Sequence, residues 1–184
     1  MPTIAVFGGS SPQPGSAAYD QAEEVGRLLA ERGFTVATGG YCGTMMAVSS
    51  GAFHAGGQVV GVTCDQIEQF RPLAPNEWIT REVRFAKLQE RLIYLVRHND
   101  GMIVLPGGIG TLSEMALAWS YLQVGEIPPR PLVLLGEQWN RLISDFNDPG
   151  YIKPEHLSLL SLANSADEAV AYVGAYHDRG KKQV

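Results

Sequence analysis

The sequence predicts an α/β fold: a doubly wound parallel sheet, Rossmann-like, with helices on both faces in three layers, α/β/α. Three observations predict it. Short apolar runs alternate with longer amphipathic stretches, and strands that alternate with helices pair in parallel. The strand runs are nearly continuous in apolar residues, as strands buried on both faces must be. Glycine-rich turns follow three of the strands, and a parallel sheet puts all three turns on one edge.

Thr3 to Phe7 reads as the first strand, stopped by Gly8-Gly9-Ser10-Ser11-Pro12. Ser16 to Arg32 is helical: Ala22, Val25, Leu28 and Leu29 recur at three- and four-residue spacing, and Gly33 is placed as a C-terminal cap. Phe34 to Thr38 is the second strand, ended by Gly39-Gly40. Gly43 to Ala55 is a helix of small residues, and Gln58 to Thr63 the third strand. Residues 64 to 80 lack periodicity and carry Pro72 and Pro75, so they read as a long loop of the kind often tied to function. Arg81 to His98 reads as one helix, with Phe85, Leu88, Leu92 and Leu95 on a face. Gly101 to Leu105 is the fourth strand, Thr111 to Leu122 a helix and Pro131 to Leu135 the fifth strand. Helices are expected near Gln138–Phe146 and Ala166–Tyr176, the second opened by a capping box of Ser165 and Glu168. The expected strand order is 3-2-1-4-5.

A length of 184 residues suits one domain, residues 1–184, with a core of its own. The net charge of −5 argues against a nucleic-acid partner, which calls for a basic footprint. The one basic cluster, Arg179, Lys181 and Lys182, reads as a solvated tail. No apolar run is long enough to span a membrane, and no charged and apolar leader precedes the first strand. Two cysteines make neither a disulfide framework nor a four-ligand zinc site, and the four histidines lack metal-ligand spacing. The expectation is a cytoplasmic protein with reduced thiols, no metal and no cofactor.

The chemistry belongs at the three turns: Gly8-Gly9-Ser10, Gly39-Gly40 with Gly43, and Pro106-Gly107-Gly108-Ile109-Gly110-Thr111. With the first and fourth strands adjacent, the first and third turns flank the switch point, where open α/β sheets bind ligands. In the third turn Pro106 ends the strand. Gly107, Gly108 and Gly110 leave the backbone open, and Thr111 adds a hydroxyl at a helix start. Free N–H groups and the positive end of the helix dipole there suit a phosphate. No Gly-Lys-Ser/Thr ending makes a P-loop, and no Gly-x-Gly-x-x-Gly follows the first strand, so hydride transfer is disfavoured. Two readings stand for Glu114: an acid capping the dipole in the first turn, or a catalytic carboxylate facing a nucleotide sugar. Arg81, Arg84 and Arg91 compete as its basic partner. A helix from Arg81 to His98 leaves Arg91 only about 10 Å above the helix end. The next strand climbs about 17 Å, so Arg91 falls below the strand tops, from where a long side chain or a neighbouring subunit would bring it into the site.

Pro106 to Glu114 resembles the PGGxGTxxE pattern of the LOG (Lonely guy) family, in the Rossmann-like superfamily that includes molybdenum-cofactor carrier-like proteins. The resemblance covers about residues 3 to 145, including Val6 to Pro12 and Gly39 to Met45. It implies nucleoside 5′-monophosphate phosphoribohydrolase activity, with AMP or a cytokinin nucleotide as substrate, and a homodimer. Apolar residues of the expected Arg81–His98 helix beyond one stripe, Ile93, Tyr94 and Val96, suggest the interface. Counted back from the motif, Arg91 falls on the family's arginine. The resemblance thus implies Arg91 and Glu114 as catalytic, with Gly107, Gly108, Gly110 and Thr111 holding the phosphate. The sequence departs from the family pattern at Thr38, Thr44, Met46 and Leu92. The altered second turn favours a rival, a carrier or sensor that binds a nucleotide or molybdenum cofactor without catalysis. Many bacterial members were once labelled lysine decarboxylases, but none of Lys87, Lys153, Lys181 and Lys182 follows a strand in a cofactor loop.

Overall fold

The computed structural model describes residues 1–181; Lys182 of the basic tail lies outside them. The chain runs β1 (Thr3–Phe7), α1 (Ala17–Glu31), β2 (Thr35–Thr38), α2 (Thr44–His54), β3 (Val59–Cys64), α3 (Asp65–Phe70), β4 (Arg81–Phe85), α4 (Leu88–Arg97) and β5 (Gly101–Val104). It continues through α5 (Ile109–Val124), β6 (Leu132–Leu135), α6 (Glu137–Phe146), α7 (Pro154–Leu157), β7 (Leu160–Ala163) and α8 (Ala166–Lys181).

The strands form one all-parallel sheet ordered β4-β3-β2-β1-β5-β6-β7. The expected order is its interior, and β4 and β7 extend it at the two edges. Alternation along β1 builds the two cores. Ile4 and Val6 join Val25 and Leu29 of α1, Val48 of α2 and Val170 of α8, while Ala5 and Phe7 join Leu95 of α4, Met115 of α5 and Trp139 of α6. That is the three-layer arrangement, produced by period-two side chains on a sheet covered on both faces. On the first face α1 and α2 come unusually close. A Cβ on Gly51 would sit 1.9 Å from Glu23 O, so only glycine admits this contact.

Two expectations needed correction. Arg81 to His98 is not one helix: Arg81–Phe85 is the edge strand β4, paired with β3. Its charged residues face solvent, which hides the period-two pattern, and charge on an edge discourages further pairing. Residues 64 to 80 are not structureless, because α3 opens them. At the last helix, Ser165 Oγ accepts from Glu168 N at 3.2 Å, and Glu168 Oε2 accepts from Asn164 N at 2.8 Å, one residue before the capping-box position. Among the described residues no helix is long and apolar enough to cross a membrane.

Candidate active site

β1 and β5 are neighbours, in register from Ile4↔Gly101 to Phe7↔Val104, so the turns that follow them meet at the switch point. They are tied together: Gly9 N–H donates to Pro106 O at 3.1 Å. The second turn locks on from the other side, as Thr44 donates to Gly9 O through both N (2.9 Å) and Oγ1 (3.0 Å). Gly43 makes this approach with φ at +67°; a Cβ there would lie 2.5 Å from Gly9 O.

The turns enclose a cleft of about 330 Å³, an ordinary size for a small-ligand site. Gly8, Gly9, Ser10, Gly39, Arg91, Gly108, Gly110, Thr111 and Glu114 line it. Four of the expected residues stand behind it instead. Gly40 backs onto Thr63 and Gly61, Gly43 onto Gly9, and Pro106 accepts the Gly9 N–H. Gly107 is held by a residue the sequence did not single out. Gln138, from α6, accepts from Gly107 N at 3.1 Å and donates to Gly107 O at 2.8 Å. The Gly107 N–H is therefore committed, and open donors begin further on. Gly108 is the N-cap of α5 and offers no side-chain cap, and Gly108, Ile109 and Gly110 are exposed at the helix start.

α5 begins at Ile109, two residues before the expected Thr111, so Glu114 lies in the second turn and no acid occupies the first. Glu114 is 8% exposed, which fits a buried group better than a surface dipole cap. Because β4 ends at Phe85, α4 starts only at Leu88, and Arg91 sits on its first turn at the ligand edge of the sheet. The expected placement below the strand tops considered only the height of the helix; the long side chain makes up the difference, reaching Val62 O and Gly39 O. Arg91 is buried. Its Nε donates to Val62 O at 2.7 Å and its Nη2 to Gly39 O at 3.2 Å, while Nη1 lies 3.6 Å from Glu114 Oε1. Burial pushes the Glu114 carboxyl from 4.5 up to about 7, and the Arg91 charge offsets only part of that.

The competing arginines lie elsewhere. Arg84 pairs with Asp65 (2.7 Å), Glu68 (2.5 Å) and Glu82 (3.2 Å) on the surface, and Arg81 is exposed on the edge strand. Tyr41, also missed in the sequence, packs its ring 5.9 Å from the Arg91 Cζ. Its hydroxyl accepts from Cys64 N at 2.7 Å, and burial raises its pKa to about 12. Spacing gave no sign of Tyr41 or Gln138, because their roles depend on contacts across the fold. Among the described residues no three His, Cys, Asp or Glu side chains form a group able to hold a metal ion.

Fold and cleft define a class: Rossmann-like α/β proteins with a glycine-built ligand cleft at the switch point. A family model described as "Possible lysine decarboxylase" matches residues 45–173. The chain is 33% identical over 190 residues to the cytokinin riboside 5′-monophosphate phosphoribohydrolase LOG1 of Arabidopsis thaliana, with 97% of this chain and 85% of that protein covered. It belongs to the LOG family. The X-ray structure of TM1055, a structural-genomics target, matches with a TM-score of 0.76 at 30% identity, covering 95% of this chain and 99% of that one. The molybdenum cofactor binding protein from the phototrophic bacterium Rippkaea orientalis shares the fold, with a TM-score of 0.74 at 23% identity over 95% and 96% of the two chains.

Proposed function

We propose that the protein hydrolyses the N-glycosidic bond of a purine or cytokinin nucleoside 5′-monophosphate, giving free base and ribose 5-phosphate. The buried Arg91–Glu114 pair, facing a cleft beside the open start of α5, carries this reading. The α5 start, with Gly108, Gly110 and Thr111, takes the phosphate. That places the sugar toward Glu114. As the bond between C1′ and the base nitrogen breaks, its electron pair leaves with the base and C1′ becomes oxocarbenium-like. The Glu114 carboxylate stabilises that charge and accepts a proton from the water that attacks C1′; a proton taken up by the departing base completes the balance. Arg91, committed to Val62 O and Gly39 O, is a rigid cation that orients Glu114.

Two of the four departures from the family pattern, Thr38 and Thr44, are accommodated by hydrogen bonds. Thr38 is buried and its Oγ1 accepts from Gly40 N at 3.1 Å, while Thr44 braces the first turn. A non-catalytic carrier leaves the buried acid without a task. Lysine-based chemistry has no support at this site, since among the described residues no lysine lines the cleft. A homodimer belongs to the same reading. Val96 is buried in this chain's own core and Tyr94 packs against that core, so an interface on α4 would draw on exposed residues such as Leu88.

The test is chromatographic detection of free base after incubation with AMP and with isopentenyl-AMP. Base release that is lost in Glu114→Gln supports the hydrolase. Nucleotide binding without base release would sink it in favour of the carrier.

A further inference from the structure

The segment between β3 and β4 forms a strap along one wall of the cleft, which Ile67, Phe70, Arg71 and Leu73 line. Its base is anchored: Glu68 Oε1 lies 3.1 Å from the Tyr41 hydroxyl, and Arg84 pairs with Asp65 and Glu68. Its far end is apolar where it meets the cleft, with Ile67, Phe70 and Leu73 on the wall. Phe70 is 87% exposed, an unusual position for a large aromatic side chain.

Arg71 follows directly. It lines the cleft, and its Nη1 donates to Ser10 Oγ, in the first glycine turn, at 3.2 Å. Among the described residues it has no carboxylate partner, unlike Arg27, Arg84 and Arg97. Arg91, the other cation of the cleft, is bound to Glu114 and to two carbonyls. A phosphomonoester carries about −1.5 to −2 charges at neutral pH. The helix start supplies only about half a positive charge, and the Arg91–Glu114 pair sums to none once the carboxyl ionises. Arg71 is the charge left over.

We propose that Arg71 is the counter-ion of the substrate's 5′-phosphate, delivered by the strap. It exchanges the Ser10 hydroxyl for a phosphate oxygen, leaving Ser10 to donate its own proton to the same anion. The exposed guanidinium gives up one neutral hydrogen bond for a charge-assisted one, which is the stronger kind. This proposal rests on the cleft being a 5′-nucleotide site.

The experiment is calorimetric titration of AMP, ribose 5-phosphate and adenosine into the native chain, Arg71→Ala and Arg71→Lys, with base release followed in parallel. Arg71→Ala is expected to weaken AMP and ribose 5-phosphate roughly ten- to hundredfold and to leave adenosine unchanged. Arg71→Lys should fall between, keeping the charge without the planar fork. Equal AMP affinity in the native chain and Arg71→Ala overturns the proposal. So does an equal loss for AMP and adenosine, which would make Arg71 a strap anchor. Arg71-dependent AMP binding without base release keeps this proposal and removes the hydrolase. Base release indifferent to Arg71 does the reverse. A native chain that binds neither AMP nor ribose 5-phosphate overturns both.

Discussion

Arg91 Nη1 and Glu114 Oε1 lie 3.6 Å apart, each side chain almost wholly buried, one on the first turn of α4 and the other on the second turn of α5. The separation is longer than a charge-assisted hydrogen bond. The arginine therefore steadies the carboxylate without capturing it, and Glu114 keeps a pKa of about 7. An acid tuned to that value is half ionised at neutrality, where a general base works best.

The activity should follow that ionisation. If Glu114 acts as its carboxylate, kcat/KM for AMP rises with pH through about 7 and levels above it. Below the inflection the rate falls about tenfold per pH unit. A profile flat from pH 5 to 8, or one that keeps its limb in Glu114→Gln, would contradict the assignment.

The same group makes stability depend on pH. Its folded pKa is raised from 4.5 to about 7, so the native state holds the extra proton. The stabilisation is complete below pH 4.5 and is lost as pH rises to about 7. At about 1.4 kcal/mol per pH unit, the loss across that window is about 3 kcal/mol. Glu114→Gln resembles the protonated form, so denaturant unfolding should show it gaining on the native chain as pH rises through this range. Parallel curves for the two proteins would exclude a strongly raised pKa.

Removing the Arg91 charge should move Glu114 further. Its positive charge lowers the Glu114 pKa, so Arg91→Met shifts the acidic limb of kcat/KM above 7. It also leaves the carbonyls of Val62 and Gly39 without their donors, at about 1–3 kcal/mol each where no water reaches them. Arg91→Lys keeps a charge but not three simultaneous contacts, and should shift the limb less. A limb that stays in place in Arg91→Met would show that the arginine does not tune the acid.

Gly39→Ala should damage catalysis more than folding. A Cβ there would lie 2.2 Å from Arg91 Nη2 and 2.5 Å from Met45 Sδ. Both are side-chain ends, but Arg91 is pinned by its partners and cannot swing aside without breaking them. The expected stability cost is about 1–3 kcal/mol, with kcat/KM down at least about tenfold as Glu114 loses its fixed partner. Near-native turnover in Gly39→Ala would mean that the Arg91 geometry is dispensable.

Gln138→Ala frees both backbone groups of Gly107. Gln138 is exposed, so water replaces those bonds and stability falls by no more than about 1 kcal/mol. The turn before α5 loses its brace, and KM for AMP should rise severalfold with kcat retained. Unchanged KM alongside normal folding would remove Gln138 from the positioning machinery.

The sequence by itself determined the class of fold and the edge of the sheet that carries the cleft. Its unbroken apolar runs admit only strands buried on both faces, and its glycines follow three of them. It also held the family motif. It did not determine β4, because Phe85 falls in helical spacing with Leu88, Leu92 and Leu95 and only the pairing with β3 reveals a strand. The distance from Arg91 to the helix end placed it below the strand tops, and only its side-chain contacts with Val62 O and Gly39 O bring the guanidinium to the cleft. Glu114 was legible by position, but its two readings differ only in burial, which the packing of α4 against the sheet decides. Tyr41, Arg71 and Gln138 carry no local pattern, since each acts on a segment distant in sequence. Periodicity reports which way a side chain faces along its own element. Only the assembled sheet fixes which distant groups it meets there, and at what distance from a charge.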